Sequence, residues 1–461
     1  MTRSPSLRIV AAFAALLTLA AGATTAKAIS VTVADYRNDF HVGAAVGQSG
    51  TFADGWSYQW NAPSSWNGTS TTAGNGNTGA ISSVADFELL RWSGTSWRPD
   101  GDDNNANGLP AAFLTLNSTG GHPGRGTTQA DGTVANNQNR YAIAAYTVAE
   151  GGRYYITDAF YQNTNLGAGN GQDVRISVNG NAPVFTLLLP DNATRPINTF
   201  VGDLSAGDTI YVAFGPNGSD GSDGFAHDFT VTKSIGDFKV VADYRDDYQT
   251  GGPAAGWEYL WNAPSQWDGA TTPAGNGNTG PIGDPTFYAS LNPVGAQYRP
   301  DNDTNSANGL PAAFLQLTSV GGHPGRGSTQ ADGTVANTLD RYAIAAFTVT
   351  EDGEYAITDS FVNSIDTAGT GGHIFIHVNN NAPLYFRDFA ATAANISFDL
   401  LLGQLNAGDT IYVGIGPNGS DGSDSFNWDF SIAQLPIPEP ATVSLLLMSV
   451  LGLGRRQRRA A

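Results

Sequence analysis

The chain has 461 residues, of which 41% are hydrophobic and 10% aromatic, so it is long enough for two ordinary domains with cores of their own. It contains no cysteine, which excludes disulfides, thiolate catalysis and cysteine-based zinc sites. Its formal net charge is −19, and an acidic surface repels phosphate backbones, so nucleic acid is not an expected partner. The 57 glycines and the 14% of charged residues are typical of many short strands joined by turns.

The N-terminal segment has the pattern of a secretory signal peptide. Two arginines precede an apolar run from Ile9 to Ala21, and Ala26 and Ala28 frame an A-x-A cleavage motif. We therefore expect residues 1–28 to be removed and the mature chain to be exported.

Two copies of one sequence, about 200 residues apart, make up the mature region. Among the repeated segments are Trp60-Asn61-Ala62-Pro63, which returns as Trp261-Asn262-Ala263-Pro264, and Gly121 to Gly126, which returns as Gly322 to Gly327. The first copy covers residues 29–234 and the second covers residues 237–433. Because this period is too long for a solenoid repeat, we expect each copy to be a complete domain.

Alternating apolar and polar residues in each copy predict strands rather than helices. Val174, Ile176 and Val178 alternate in this way and are followed by Asn179-Gly180, a strong signal for a tight hairpin. No segment combines a sustained helical period with capping residues. The predicted fold is therefore all-β, with two tandem homologous antiparallel β-sandwich domains of jelly-roll type.

Short motifs near the end of each copy resemble those of carbohydrate-binding-type sandwich modules of bacterial surface proteins. They are the G-D-T-I-Y-V run at Gly207–Val212 and Gly408–Val413, the G-P-N-G-S-D turn that follows it, and a final strand containing Asp-Phe. The resemblance implies a sandwich that binds carbohydrate.

An aromatic stripe opens each copy. Its rings are spaced two residues apart, so a strand places them on one face; they are Trp56, Tyr58 and Trp60 in the first copy and Trp257, Tyr259 and Trp261 in the second. If exposed, the stripe would be a platform for sugar rings. If buried, it would belong to the core, and the mostly polar opposite face favours the core. Trp66 and Trp267, in the loops that follow, are the better candidates for sugar stacking.

Two equivalent glycine-rich loops offer oxygen ligands for Ca²⁺. Their candidate ligands are Asn217, Asp220, Asp223 and Asp228 in the first copy and Asn418, Asp421, Asp424 and Asp429 in the second. Ca²⁺ prefers such oxygens, but Asn and Asp in a solvated turn explain the same pattern. Both interpretations stay open, and the position of Asp228 and Asp429 inside an apparent strand favours the ion. A looser ion site near Asp100 and Asp301 is a further candidate.

Histidines occur in two patterns. His122 and His323 lie in equivalent His-Pro-Gly turns, and the sequence has neither a G-x-S-x-G elbow nor a paired-acid signature that would make them catalytic. We therefore expect turn histidines that hydrogen-bond to backbone. His373 and His377 share one predicted strand face and could bind a metal in the second copy alone.

Residues 436–461 have the organisation of a sorting tail. Pro438, Glu439 and Pro440 precede an apolar run from Ala441 to Gly454, and a basic cluster follows, consisting of Arg455, Arg456, Arg458 and Arg459. This order resembles the PEP-CTERM signal. The resemblance implies an exosortase-type processing enzyme as partner, transient anchoring in the inner membrane, and a final location at the cell surface or in the exopolysaccharide matrix. About 14 apolar residues are fewer than the roughly 17–25 of a spanning helix.

These features predict an exported, non-catalytic protein that binds or organises extracellular polysaccharide, assisted by Ca²⁺. Two like modules on a short tether would raise the avidity for a repeating polymer. The first alternative is a purely structural surface protein that self-associates. The second is a polysaccharide-active enzyme that would use His122, Arg125 and Tyr141.

Overall fold

The described part of the chain covers both copies of the repeat. The structure, a computed structural model, describes residues 30–62, 80–99, 113–125, 139–164, 171–190, 192–218, 223–263, 282–300, 314–329, 335–391, 394–419 and 422–435. The predicted signal peptide, the sorting tail, Trp66, Trp267, Asp100 and Asp301 lie outside these residues. No helix within them is long and apolar enough to cross a membrane.

The first half is built from short strands. They are β1 (Ser30–Asp35), β2 (Trp56–Asn61), β3 (Phe87–Leu89), β4 (Arg91–Trp92), β5 (Trp97–Arg98), β6 (Thr115–Asn117), β7 (Gly120–His122), β8 (Gly124–Arg125), β9 (Asn139–Arg140), β10 (Ala142–Thr147), β11 (Gly152–Asn163), β12 (Gln172–Val178), β13 (Phe185–Leu189), β14 (Thr194–Pro196), β15 (Thr199–Leu204), β16 (Thr209–Gly215) and β17 (Phe225–Ser234).

The second half repeats this series. Its strands are β18 (Lys239–Asp243), β19 (Trp257–Asn262), β20 (Tyr288–Ser290), β21 (Asn292–Val294), β22 (Gln297–Arg299), β23 (Gln316–Thr318), β24 (Gly321–His323), β25 (Gly325–Thr329), β26 (Val335–Arg341), β27 (Ala343–Thr348), β28 (Gly353–Ser364), β29 (Gly372–Val378), β30 (Tyr385–Phe389), β31 (Leu400–Leu405), β32 (Thr410–Pro417) and β33 (Phe426–Leu435). One short helix, α1 (Tyr244–Asp247), follows β18.

Each half is an antiparallel β-sandwich. In the first, the larger sheet has the order β14-β11-β17-β7-β6-β5-β4, with β1 also beside β17 and β15 beside β11, and the smaller sheet has the order β13-β12-β16-β10-β2-β3. In the second, the larger sheet runs β21-β22-β23-β24-β33-β28-β31 with β18 beside β33, and the smaller sheet runs β20-β19-β27-β32-β29-β30. The predicted all-β fold of two homologous sandwiches is confirmed.

The aromatic stripes form the centre of each sandwich core. Trp56, Trp60, Trp257 and Trp261 are at most 4% exposed. The centroid of the Tyr36 ring lies 5.8 Å from that of Trp56 in β2 and 5.2 Å from that of Phe229 in β17, so Tyr36 connects the two sheets of the first half. Because these four tryptophans are buried between the sheets, they cannot stack on a sugar, and the core alternative for the stripe holds.

One histidine lies inside the first core with no hydrogen bond to its ring among the described residues. His227 is fully buried, its ring centroid lies 4.4 Å from Tyr36 and 4.3 Å from Phe214, and neither ring nitrogen has a partner in the described residues. Burial, followed by the charge of Arg37, lowers the pKa of His227 to about 3. The equivalent residue in the second half is Trp428.

We predict that His227→Phe stabilises the protein by about 1–3 kcal/mol at pH 7, because it removes a buried polar ring without partners. Since the folded-state pKa of His227 is lowered, the unfolded chain binds the proton more tightly, so the native protein loses stability as pH falls from about 6.5 toward 3. Thermal denaturation at pH 7 and pH 5 should show a larger gain for the variant at pH 5. An equal or smaller gain at pH 5 would contradict this. The reverse change, Trp428→His, should destabilise.

The two halves pack through equivalent surfaces. Phe200 and Leu401 occupy equivalent positions, as do Tyr155 and Ala356, and all four belong to one apolar cluster between the halves. Phe185 meets its counterpart Tyr385 with ring centroids 6.2 Å apart. In a two-fold symmetric interface, residues near the axis likewise meet their own counterparts.

Polar contacts fix the relative position of the halves. The side-chain amide of Asn198 donates to the Leu384 carbonyl at 2.9 Å, and the Phe200 N–H donates to the Asp399 carbonyl at 3.0 Å. The Ser30 N–H donates to the buried carboxylate of Glu354 at 2.8 Å. We therefore expect the halves to unfold together.

We predict that Leu401→Asp separates the unfolding of the two halves, because it places an unpaired charge at a junction position that is only 8% exposed. Calorimetry should show one transition for the native protein and two for the variant. Val46→Asp, at a position 68% exposed, is the control and should keep one transition. A single unchanged transition for Leu401→Asp would contradict the coupling.

Candidate functional site

The face of each smaller sheet that points away from the main core, here called the outer face, carries an aromatic pair with one ring on the edge strand and one on an inner strand. In the first half, Phe87 and Tyr211 lie with ring centroids 5.3 Å apart and planes at 74°. In the second, the equivalent Tyr288 and Tyr412 lie 5.3 Å apart at 73°. All four rings are mostly buried, and they pack on small apolar clusters of the outer faces rather than in the main core.

The sheet places these rings on the outer face by simple alternation. Ile210 and Val212 point into the core, so Tyr211 between them points outward. Its partner in register on β10 is Ala145, whose small side chain leaves room for the two rings to meet above the sheet.

Polar groups lie beside the pair in the first half. The Tyr141 hydroxyl and Arg175 Nε both donate to Asp173 Oδ2 at 2.8 Å, and the Arg175 guanidinium lies over the Tyr141 ring at 5.4 Å. Burial and the neighbouring Asp173 raise the pKa of Tyr141. Tyr141 is therefore a neutral donor at pH 7 and is not activated as a base.

The second outer face is richer in aromatic rings. His373, Phe375 and His377 occupy the positions of Asp173, Arg175 and Ser177. His377 Nδ1–H donates to the Asn379 carbonyl at 2.7 Å, so its Nε2 accepts from the Tyr288 hydroxyl at 2.9 Å.

The two histidines of this face are not arranged as metal ligands. His373 Nε2 is hydrogen-bonded to the Tyr342 hydroxyl, and both nitrogens of His377 have protein partners. Burial lowers the pKa of each histidine to about 4, so both are neutral at pH 7. Their hydrogen bonds fix the neighbouring tyrosines in place.

The acids predicted inside strands have arginine partners. Asp228 accepts from Arg37 Nε at 3.0 Å, and Asp429 lies 3.3 Å from Arg245 Nε. Each carboxylate therefore has a cationic partner within the protein, which explains an acid inside a strand without an ion, and Ca²⁺ binding at these two residues stays a prediction.

The loop carboxylates also have structural roles. Asp424 Oδ1 accepts from the N–H groups of Thr370 and Gly371 at 2.8 and 3.0 Å, and its equivalent Asp223 is fully buried. Asn217 has a φ of 44°, as the solvated-turn alternative expects. Asp220 and Asp421 lie outside the described residues. Within the described ranges, no group of three or more His, Asp or Glu could hold a metal ion.

The His-Pro-Gly turn contains a histidine bound to backbone, as expected. His122 Nδ1–H donates to the Pro123 carbonyl at 2.6 Å, and its Nε2 accepts from the Asp223 N–H at 3.1 Å. His323 makes the equivalent bond to the Pro324 carbonyl at 2.5 Å. Tyr141 bonds instead to Asp173, so His122 and Tyr141, two of the three residues named together for catalysis, bind different partners.

The sequence analysis missed the outer-face pairs. Phe87 and Tyr288 belong to no recognisable motif, whereas Tyr211 and Tyr412 lie within the G-D-T-I-Y-V run. An aromatic residue between two core residues of a strand, present in both copies, was the available signal.

Comparison with known proteins gives distant similarities to solved structures. No protein-family model matches the chain, and no curated protein matches it. Among solved structures, the ANX2 ectodomain from Arabidopsis thaliana is 12% identical, with 72% of this chain and 94% of that chain covered and a TM-score of 0.16. The CBM22 tandem domain of Paenibacillus barcinonensis Xyn10C is 9% identical, with coverages of 66% and 88% and a TM-score of 0.17. An Arthrobacter globiformis isomalto-dextranase complexed with panose is 13% identical, with coverages of 69% and 37% and a TM-score of 0.17. Similarities this low do not indicate function.

We predict that Asp424→Ala destabilises the protein by about 1–3 kcal/mol, because it leaves the Thr370 and Gly371 N–H groups without their acceptor. Chemical denaturation at pH 7 measures this. Glu351→Ala removes an exposed carboxylate and is the control, expected within about 0.5 kcal/mol of the native protein. If both variants had equal stability, Asp424 would not be a structural carboxylate.

Proposed function

We propose that the protein is a non-catalytic polysaccharide-binding protein with one binding face on each half. The observation that supports this most directly is the partly exposed aromatic pair, which recurs on both outer faces with the same separation and nearly the same angle. These rings pack on smaller apolar clusters outside the main core, and the surface that they leave exposed can contact a ligand. Sugar rings stack on aromatic faces beside polar groups that accept and donate hydrogen bonds.

The polar groups on these faces suit recognition rather than catalysis. Tyr141 has a raised pKa and donates to Asp173, and His377 is neutral with both nitrogens bonded. A general base needs a pKa near the working pH and contact with a nucleophile. The described residues of the outer faces are instead fixed donors and acceptors.

The cellular setting of the proposal comes from the sequence. The signal-peptide pattern and the tail that resembles PEP-CTERM imply export, processing by an exosortase-type enzyme at the inner membrane, and a cell-surface or matrix location. Ca²⁺ assistance remains part of the proposal through Asp220 and Asp421, because Asp228, Asp424 and Asp429 already have protein partners.

We predict that Tyr211→Ala combined with Tyr412→Ala weakens polysaccharide binding at least about fivefold, because each change removes about 1 kcal/mol of ring stacking from a face. Affinity electrophoresis through gels containing single polysaccharides, with Ca²⁺ and with chelator, measures this.

The matched control is Phe113→Ala combined with Phe314→Ala. These phenylalanines are also equivalent and are 50% and 51% exposed, but they lie beside His122 and His323 rather than on the outer faces. The control should keep native affinity. Equal loss in both double variants would contradict a specific role for the outer faces.

The packed junction favours a second candidate, a purely structural surface protein. Such a protein would migrate unretarded in every gel and would self-associate in sedimentation experiments. The same electrophoresis therefore separates the two candidates.

A further inference from the structure

The outer face of the second half includes a residue of the first half. Arg195, in β14, crosses the junction, and its guanidinium carbon lies 4.4 Å from the centroid of the Phe386 ring. Nearby, the Asn198 side chain donates to the Leu384 carbonyl, which keeps β14 beside β30.

Arg195 lies among polar groups of this face. Asp388 is next to His373 in register, and the positive charge of Arg195 acts on both residues. Arg195 Nη1 donates to the Thr194 carbonyl at 3.1 Å, and the guanidinium forms no ion pair with a described carboxylate. Because a guanidinium has five N–H donors, several remain for a ligand.

A series of ring contacts connects this end of the face to the aromatic pair. Tyr412 stacks on His377 at 4.7 Å, His377 meets Phe375 at 5.2 Å, and Phe375 meets Phe386 at 6.5 Å. His377 and Phe375 are buried, whereas Tyr412 and Phe386 are partly exposed. The buried rings therefore support two accessible ones at separate places on one sheet.

We infer that the outer face of the second half binds an uncharged polysaccharide chain. At the edge of this face formed by β30, Arg195 of the first half and Asp388 of the second half form a composite site that contacts sugar hydroxyls beside Phe386. This inference rests on the proposed function. Hydroxyls both donate and accept, so they match a guanidinium beside a carboxylate. A polyanion would be repelled by Asp388 and by the net charge of −19.

Among its described residues, the first half has no equivalent composite site. Thr186 and Leu188 occupy the positions of Phe386 and Asp388. The arginine that the second half sends across the junction, Arg387, lies 5.4 Å over Phe185, a ring buried in the core. The two faces therefore bind unequally, and the second needs both halves.

The test uses affinity electrophoresis of the protein in gels containing dextran, hydroxyethyl cellulose, galactomannan or, as the charged polymer, alginate. In the uncharged polymer that retards the native protein, Arg195→Ala and Asp388→Ala should each weaken binding at least about fivefold. Asp388 is exposed, so its removal keeps the test valid if Arg195→Ala loosens the junction. Arg387→Ala is the matched control, since it removes a junction arginine that does not lie on the outer face.

The outcomes separate the inference from the proposed function. Weaker binding by both outer-face variants with native binding by the control supports the composite site. Native binding by Arg195→Ala or Asp388→Ala, or equal loss in Arg387→Ala, overturns it while polysaccharide binding stands. Stronger retardation by alginate than by any uncharged polymer overturns the ligand class. Unretarded native protein in all four gels overturns the inference and the proposed function together.

Discussion

The packing of aromatic rings between the two sheets of each half is the interaction on which the rest of the structure depends. Without cysteine, the sandwiches have no disulfides to hold them. Tyr36 joins β2 to the last strand of the first half through Trp56 and Phe229, and Tyr244 makes the equivalent contacts with Trp257 and Phe430. Because side chains alternate along a strand, a set of rings turned into the core also determines which residues face outward.

The outer faces and the junction follow from this arrangement. With Ile210 and Val212 in the core, Tyr211 is turned outward, and its duplicate Tyr412 is placed in the same way. Duplication gave two similar faces, but the packing of the halves through equivalent surfaces made them different. Arg195 of the first half lies against Phe386 on the second outer face. Arg387, which crosses the junction in the other direction, lies against Phe185, a buried ring of the first half.

Most of the fold could be predicted from the alternation of apolar and polar residues and from the internal repeat. The period of two predicted the strands, the internal repeat predicted two sandwiches, and the polar residues opposite Trp56 favoured burial. The ion pairs of Asp228 and Asp429 could not be predicted, because their arginine partners, Arg37 and Arg245, are nearly 200 residues away in sequence and only the fold brings them together. The contact of Arg195 with Phe386 could not be predicted either, because it depends on how the two halves pack.

A crystal structure of the protein with an oligosaccharide, cut from whichever polymer retards it most, would test the central claim most directly. The account predicts sugar rings against Tyr211 or Tyr412 on the outer faces, with a hydroxyl near Arg195 and Asp388. An oligosaccharide bound only elsewhere, for example beside Phe113 and Phe314, would contradict it.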